Sequence, residues 1–248
     1  MKKDWAKDFY KMQYEFIGNY GKDFYEVSAV EILSQIGKPI ENLLELGSAD
    51  GSLSRALSNK VSHITTVELV DNLVEKAKEV NPVNINAING DFLEIDLQNT
   101  YDAIIYIDGF GLGDDSAQLN LLKNIKQWLK KDGCGLIDIY QPEHWKKADK
   151  IEMYVHPENM PNIKIRYTYD YKNDVMIDTW WREGEEETKQ SQYLKCYTLK
   201  EIKDMCEAAG LQIIEYFTNG AMDYETMTYT EDASSEKCMS YRIKVVRS

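Results

Sequence analysis

The chain has 248 residues, enough to bury one sizeable α/β core with an insertion without splitting into independent domains. Apolar residues make up 43% and charged residues 29%, which fits a soluble globular protein and excludes a disordered chain. The net charge of −13 makes nucleic acid an unlikely main partner and favours a small or cationic substrate.

Met1-Lys2-Lys3-Asp4-Trp5 runs into charged sequence with no hydrophobic signal segment, and no apolar stretch approaches membrane-spanning length. From Asp4 to about Tyr20, Trp5, Phe9, Met12 and Phe16 recur at three- and four-residue intervals, which predicts an amphipathic helix with an aromatic face. A second helix is expected from about Asp23 to Ile36, with Val30, Leu33 and Ile36 inward and Gly37-Lys38-Pro39 ending it. These helices either cover one face of a sheet or close over a ligand, and Tyr10, Tyr14, Tyr20 and Tyr25 are the lid candidates.

The apolar run Leu43-Leu44 leads into Glu45-Leu46-Gly47-Ser48-Ala49-Asp50-Gly51 and then into residues of helical composition. Small residues between a buried strand and a helix make a turn where a nucleotide can approach the backbone closely. His63 to Glu68 reads as a second strand ending in an acid, 23 positions beyond Glu45. A carboxylate there can accept hydrogen bonds from both ribose hydroxyls. Asp71 then caps a helix carrying Leu73, Val74 and Ala77, and a third strand, Asn84 to Ile88, leads to Gly90-Asp91-Phe92.

Tyr101 to Ile107 is the clearest buried strand, and it delivers Asp108 together with Gly109, Gly111 and Gly113. Those glycines make either a pliable loop that admits substrate or a plain long turn. A helix from Asp115-Ser116 carries Leu119, Leu122, Ile125 and Leu129. Lys131 to Gly135 is expected to end it and open the strand Leu136 to Tyr140.

From Gln141 to about Lys195 the pattern changes to alternating strand-like runs, Ile163 to Tyr169 and Val175 to Trp181, which predict an antiparallel insertion rich in aromatics. Those aromatics suit either a pocket for a cation or ring, or the packing of a small sheet. Thr198 and Glu201 form a capping box for a helix closed by Gly210, and strands follow at Leu211 to Phe217 and Tyr241 to Val246. Met222, Asp223, Tyr224 and Glu225 lie in the connection between them, where they can help close a substrate pocket. Cys134, Cys196, Cys206 and Cys238 show no zinc-ligand spacing, so free thiols in a reducing cytoplasm and no metal are expected.

Glu45-x-Gly47-x-Ala49-x-Gly51 resembles the first motif of the class I S-adenosylmethionine-dependent methyltransferases, with Ala49 in place of the middle glycine. The dinucleotide fingerprint G-x-G-x-x-G/A fits less well, because its third position is Ser52. The resemblance spans roughly residues 40 to 140 with the final helix and two strands. It implies an α/β fold with a three-layer Rossmann-like sheet of about seven strands, the last antiparallel. It further implies an amino-terminal helical lid over residues 1–39, a core over 40–141 and 196–248, and a substrate-side β insertion over 142–195.

The cofactor implied is S-adenosyl-L-methionine, leaving S-adenosyl-L-homocysteine. The binding residues implied are Glu45, Gly47, Ser48, Ala49, Gly51, Glu68, Leu69, Asp91, Phe92, Asp108 and Gly109, with Asp91 on the adenine amino group. The reaction implied is methyl transfer to nitrogen or oxygen of a small molecule. His144, four residues after Tyr140, is the candidate base, and Asp108 competes with it as base or amine anchor. A protein or RNA methyltransferase, a nicotinamide-dependent oxidoreductase and a catalytically silent binder are the alternatives, and the oligomeric state stays open.

Overall fold

A computed structural model describes residues 5–248, so Met1 to Asp4 lie outside the described residues. Two helices come first, α1 (Ala6–Ile17) and α2 (Lys22–Ile36). There follow β1 (Asn42–Leu46), α3 (Ser52–Leu57), β2 (His63–Glu68), α4 (Asp71–Val80), β3 (Ile85–Asn89), β4 (Tyr101–Tyr106), α5 (Asp115–Trp128) and β5 (Leu129–Tyr140). The expected insertion holds α6 (Pro142–Lys147), β6 (Glu152–His156), β7 (Met160–Asp170), β8 (Val175–Arg182) and β9 (Gln190–Lys195). The chain then returns through α7 (Leu199–Ala209), β10 (Leu211–Thr218), a hairpin of β11 (Ala221–Asp223) and β12 (Thr228–Thr230), and β13 (Ser240–Arg247).

Seven strands form one sheet in the order β10-β13-β5-β4-β1-β2-β3. β13 runs antiparallel to both neighbours, whereas β5, β4, β1, β2 and β3 are mutually parallel, so the resemblance's sheet is present. Parallel strands buried on both faces need continuous apolar sequence, and Leu43, Leu44, Ile104 and Ile105 are wholly inaccessible. Strand order reverses between β1 and β4, and the crevice at such a switch point lies beyond the carboxyl ends of those strands. The second sheet, β6-β7-β8-β9, is antiparallel. Phe9 and Met12 of α1 pack into it against Ile163, Ile165 and Trp180. Full burial of one such side chain stabilises by roughly 1.5–3 kcal/mol, which is what holds α1 to the insertion.

Two expectations change. In α2 the buried positions are Ala29, Ile32 and Ile36, while Val30 is 70% exposed. Val30 lies about 100° around the helix from Ala29, and the i, i+3, i+7 stripe leaves it outside. The segment Lys131 to Gly135 is not a turn but part of β5, which starts immediately after α5. A Cβ at Gly133 would come within 2.9 Å of the Tyr101 carbonyl, and one at Gly135 within 2.9 Å of Val245, so these glycines let neighbouring chain approach a strand. The capping box at Thr198 and Glu201 forms with both of its hydrogen bonds. All four cysteines are free and buried. No described helix is long and apolar enough to cross a membrane.

Candidate active site

The turn after β1 is shaped by three left-handed residues, Gly47 (φ 70°), Ala49 (φ 51°) and Gly51 (φ 76°). For an alanine this conformation costs about 1–2 kcal/mol, and Glu68 offsets that cost. The Ala49 N–H donates to Glu68 Oε2 at 2.9 Å, and the Val70 N–H donates to Oε1 at 2.8 Å. One carboxylate at the end of β2 thereby fixes both the glycine-rich turn and the entry to α4. The carboxylate keeps acceptor capacity for a ligand hydroxyl.

A cleft opens beside this turn. Gly47, Ala49, Glu68, Leu69, Asp91 and Phe92 line it from the β1, β2 and β3 ends, and Asp108 and Gly109 line it from the β4 end. Phe92 stacks edge-on against Tyr106, with ring centroids 4.9 Å apart, and gives the cleft an aromatic floor. From above, Tyr10, Gln13 and Tyr14 of α1 close it. Lys7 ties that helix to Asp71 of α4 at 3.3 Å.

Three of the expected binding residues stand elsewhere. The Glu45 carboxylate accepts the Ser54 hydroxyl beneath the turn and borders a second cleft, which Ser48 also lines. Burial raises Glu45 to about 8, and the Ser54 hydrogen bond opposes that rise. Gly51 lines neither cleft. It caps α3, and a Cβ there would sit 3.2 Å from both Arg55 and Asn81, so its smallness serves packing.

The second and larger cleft lies between the sheet, α2 and the insertion. Asp108 borders both clefts. It has φ 55°, uncommon for a side-chain-bearing residue and held by its neighbours. The Asp108 N–H donates to Asp138 Oδ2 at 3.2 Å, and the Tyr140 hydroxyl donates to Asp108 Oδ1. Asp108 is open to water in the cleft yet enclosed by protein around it. That confinement raises its carboxyl to about 6 against the pull of the Tyr140 hydroxyl, and the charge on Asp138 adds to the rise. Asp138 is itself held by Arg242, whose Nε and Nη2 donate at 2.6 and 3.1 Å.

The insertion supplies the far wall of this second cleft. Met176, Asp178 and Trp180 share one face of β8, and Gln192 stands opposite Asp178 on β9. Gln192 Nε2 donates to Asp178 Oδ2 at 2.8 Å, and the Tyr10 hydroxyl donates to Gln192 Oε1 at 3.2 Å. Tyr20 and Tyr25 also line this cleft. The sequence reading passed over Asp138, Asp178, Gln192 and Arg242. Its available signal was a carboxylate sharing period-2 spacing with apolar residues, as in Met176-x-Asp178-x-Trp180.

His144 is not brought to either cleft. It is buried in α6, where its Nδ1 lies 3.2 Å from the Lys237 carbonyl and its Nε2 lies 3.3 Å from the Tyr224 hydroxyl. Four positions after Tyr140 the chain has already turned into a helix, which carries the imidazole away from the strand end. The glycine loop after β4 is likewise pinned. The Gly111 carbonyl accepts from the Lys195 N–H at 2.9 Å, joining that loop to β9. From the connection after β10, Asn219, Gly220 and Tyr229 border the second cleft, whereas Tyr224 packs on His144. Among the described residues no His, Cys, Asp and Glu cluster suited to a metal is found.

A family model described as a methyltransferase domain matches residues 22–216. Over 99 residues the chain is 34% identical to Nodulation protein S of Azorhizobium caulinodans, which is 39% of this chain and 48% of that protein. The chain thus spans about half the length of that curated relative. An S-adenosylmethionine-dependent methyltransferase from Clostridium acetobutylicum superposes with a TM-score of 0.72 at 12% identity, covering 98% of this chain and 99% of that one. CalS10, an amino pentose methyltransferase from Micromonospora echinaspora, superposes with a TM-score of 0.66 at 18% identity, covering 97% of each. These structures share the fold, and the family match extends across most of the sheet and the whole insertion. The chain belongs to the methyltransferase domain family.

Proposed function

We propose that this methyltransferase binds S-adenosyl-L-methionine in the first cleft and methylates nitrogen or oxygen of a small molecule held in the second. One observation carries this reading: Gly47, Glu68, Asp91 and Asp108 line a single cleft, and Asp108 also borders its larger neighbour. When bound, the cofactor supplies an electrophilic methyl on a sulfonium.

Glu68 holds the ribose hydroxyls on its remaining acceptor capacity, Asp91 accepts from the adenine amino group, and Phe92 and Tyr106 flank the ring. The helices α1 and α2 act as the lid, with Tyr10 and Tyr14 excluding water. Raised to about 6, Asp108 is ionised at neutral pH and more basic than an ordinary carboxylate, so it takes the acceptor's proton. The Tyr140 hydroxyl orients it. Alignment and exclusion of water supply the remaining acceleration, and no covalent nucleophile is required. The acidic surface disfavours nucleic acid, and four unpaired buried cysteines favour the cytoplasm.

Calorimetry with S-adenosylmethionine, S-adenosylhomocysteine and NAD tests the cofactor. Binding of the first two and not the third is expected, and the reverse overturns the reading. Transfer of a labelled methyl into a metabolite extract separates an enzyme from a silent binder.

A further inference from the structure

We infer that the acceptor is an amine that enters the second cleft as an ammonium ion and is seated on Asp178 of β8, against the aromatic wall of Trp180 and Tyr167. The inference rests on the reading above, in which the donor fills the first cleft and a small acceptor the second.

Asp178 is 5% exposed and lines the second cleft. Its Oδ2 is engaged by Gln192, and its Oδ1 stands beside the Trp180 indole N–H without a well-formed hydrogen bond, so the carboxylate keeps acceptor capacity towards the cleft. Acceptor capacity left unfilled on a buried carboxylate is unfavourable, because the desolvation is not recovered. Such a cost in a closed wall would be relieved by packing changes; in a cleft wall it is relieved by a ligand that brings the missing donor. An ammonium brings three donors and a positive charge, whereas a hydroxyl brings one donor and none.

The surroundings select the same charge. Glu31, Asp50, Asp108 and Asp138 also line this cleft, and Arg242 is its one basic side chain among the described residues. Arg242 is already matched by Asp138, so the cleft is electronegative towards a ligand. Aromatic faces at Trp180, Trp145 and Tyr167 suit a cation better than a neutral polar group. Burial raises Asp178 to about 7, the Trp180 and Gln192 side chains oppose that rise, and Asp108 adds to it by repulsion. A bound cation removes the cost of charging it. Gln192 in turn receives the Tyr10 hydroxyl, so the amine's seat is wired to the helix that roofs the first cleft. Asp178 is thereby a specificity-determining residue, distinct from Asp108, which takes the proton.

The test uses two probes of one shape, cyclohexylamine and cyclohexanol, titrated into the full-length protein saturated with S-adenosylhomocysteine, with tryptophan fluorescence as the signal. The wild type is expected to prefer the amine about tenfold or more, the range of a charge-assisted hydrogen bond. Asp178→Asn is expected to bring the two within about twofold, and Asp178→Ser serves as a smaller uncharged second variant. An unchanged affinity for S-adenosylhomocysteine certifies the fold of either. Glu79→Gln, at an exposed carboxylate of α4 that lines neither cleft, is expected to keep the preference.

Equal binding of the two probes by wild type, failure of the amine to bind, or a preference that survives in both Asp178 variants overturns the inference. So does a Glu79→Gln variant that loses the preference as fully. If S-adenosylhomocysteine fails to bind while the amine preference and its dependence on Asp178 persist, the donor reading fails and the amine seat stands.

Discussion

The two clefts meet at Asp108 but are built by different kinds of chain. Around the first, each functional residue stands at the end of its own strand, and the decisive hydrogen bonds join residues close in sequence, as between Ala49 and Glu68. Around the second, the contacts are distant: Asp138 meets Arg242 across 104 residues, and Tyr10 meets Gln192 across 182. A site made locally keeps its shape as long as its strand and turn survive. A site made by assembly depends on every element arriving, and its walls can vary without disturbing the other half. A fixed donor site beside a variable acceptor site is what that division yields.

The joint between the halves is the place to break the comparison hardest. Gly111 has φ 118°, and a Cβ there would lie 2.3 Å from the Lys195 carbonyl oxygen, part of the backbone of β9. Gly111→Ala is expected to cost on the order of 3 kcal/mol, from strain at a left-handed backbone plus displacement of β9. Thermal melts check the size. Calorimetry with S-adenosylhomocysteine alongside tryptophan fluorescence checks the place, since the acceptor wall should loosen while the donor cleft still binds. A melting temperature unchanged from wild type shows the joint to be soft.

Next in size is a change confined to the donor side. Glu68→Ala removes the acceptor for two backbone amides and for the ribose, and an affinity loss for S-adenosylhomocysteine of about 100-fold is expected, equivalent to about 2.7 kcal/mol. The amine preference of the second cleft should survive that loss. If both properties fall together, the clefts are one cooperative unit.

The same contrast explains what was legible in the sequence. The parallel strands, the glycine-rich turn, Glu68 and Asp91 are encoded by apolar runs and by spacings of a few residues, and the structure puts them where those signals place them. The acceptor wall carries no comparable local signature. Asp178 looks like one polar residue in a strand until β9 sets Gln192 against it, and Arg242 looks like surface charge until Asp138 appears opposite in the register. Helix phase in α2 was misjudged because Val30 and Leu33 are as apolar as Ala29 and Ile32, leaving the stripe to tertiary packing. The place of His144 away from the strand end turns on Pro142, which opens α6 at its first position.

A smaller effect distinguishes the two sides by pH. Glu45 sits beneath the donor turn with its carboxyl raised by burial to about 8 from an ordinary value near 4.5. Its neutral form is therefore favoured in the fold. The stabilisation is fully present below about 4.5, the unfolded value, and is lost as pH rises through about 8. Glu45→Gln removes that dependence, so the variant should gain on wild type between pH 5 and pH 9 by roughly 2 kcal/mol, read from urea unfolding at several pH values. A constant difference across that range shows that Glu45 stays charged in the fold, with its partners differently arranged.

The smallest effect on catalysis is expected at His144, and it bears directly on where the chemistry lies. Its Nδ1 faces the Lys237 carbonyl and its Nε2 faces the Tyr224 hydroxyl, an arrangement that fixes the neutral ring with the proton on Nδ1. Burial lowers its pKa further and so keeps it neutral near pH 7, but no reacting group reaches it from either cleft. His144→Gln should therefore cost about 1 kcal/mol of stability through lost hydrogen bonds, while kcat stays within about threefold of wild type. The rising limb of the pH profile near 6 should also remain, because it belongs to Asp108. Asp108→Asn should abolish that limb. If His144→Gln abolishes it instead, the proton leaves the acceptor through α6, and Asp108 serves only to bridge the two clefts.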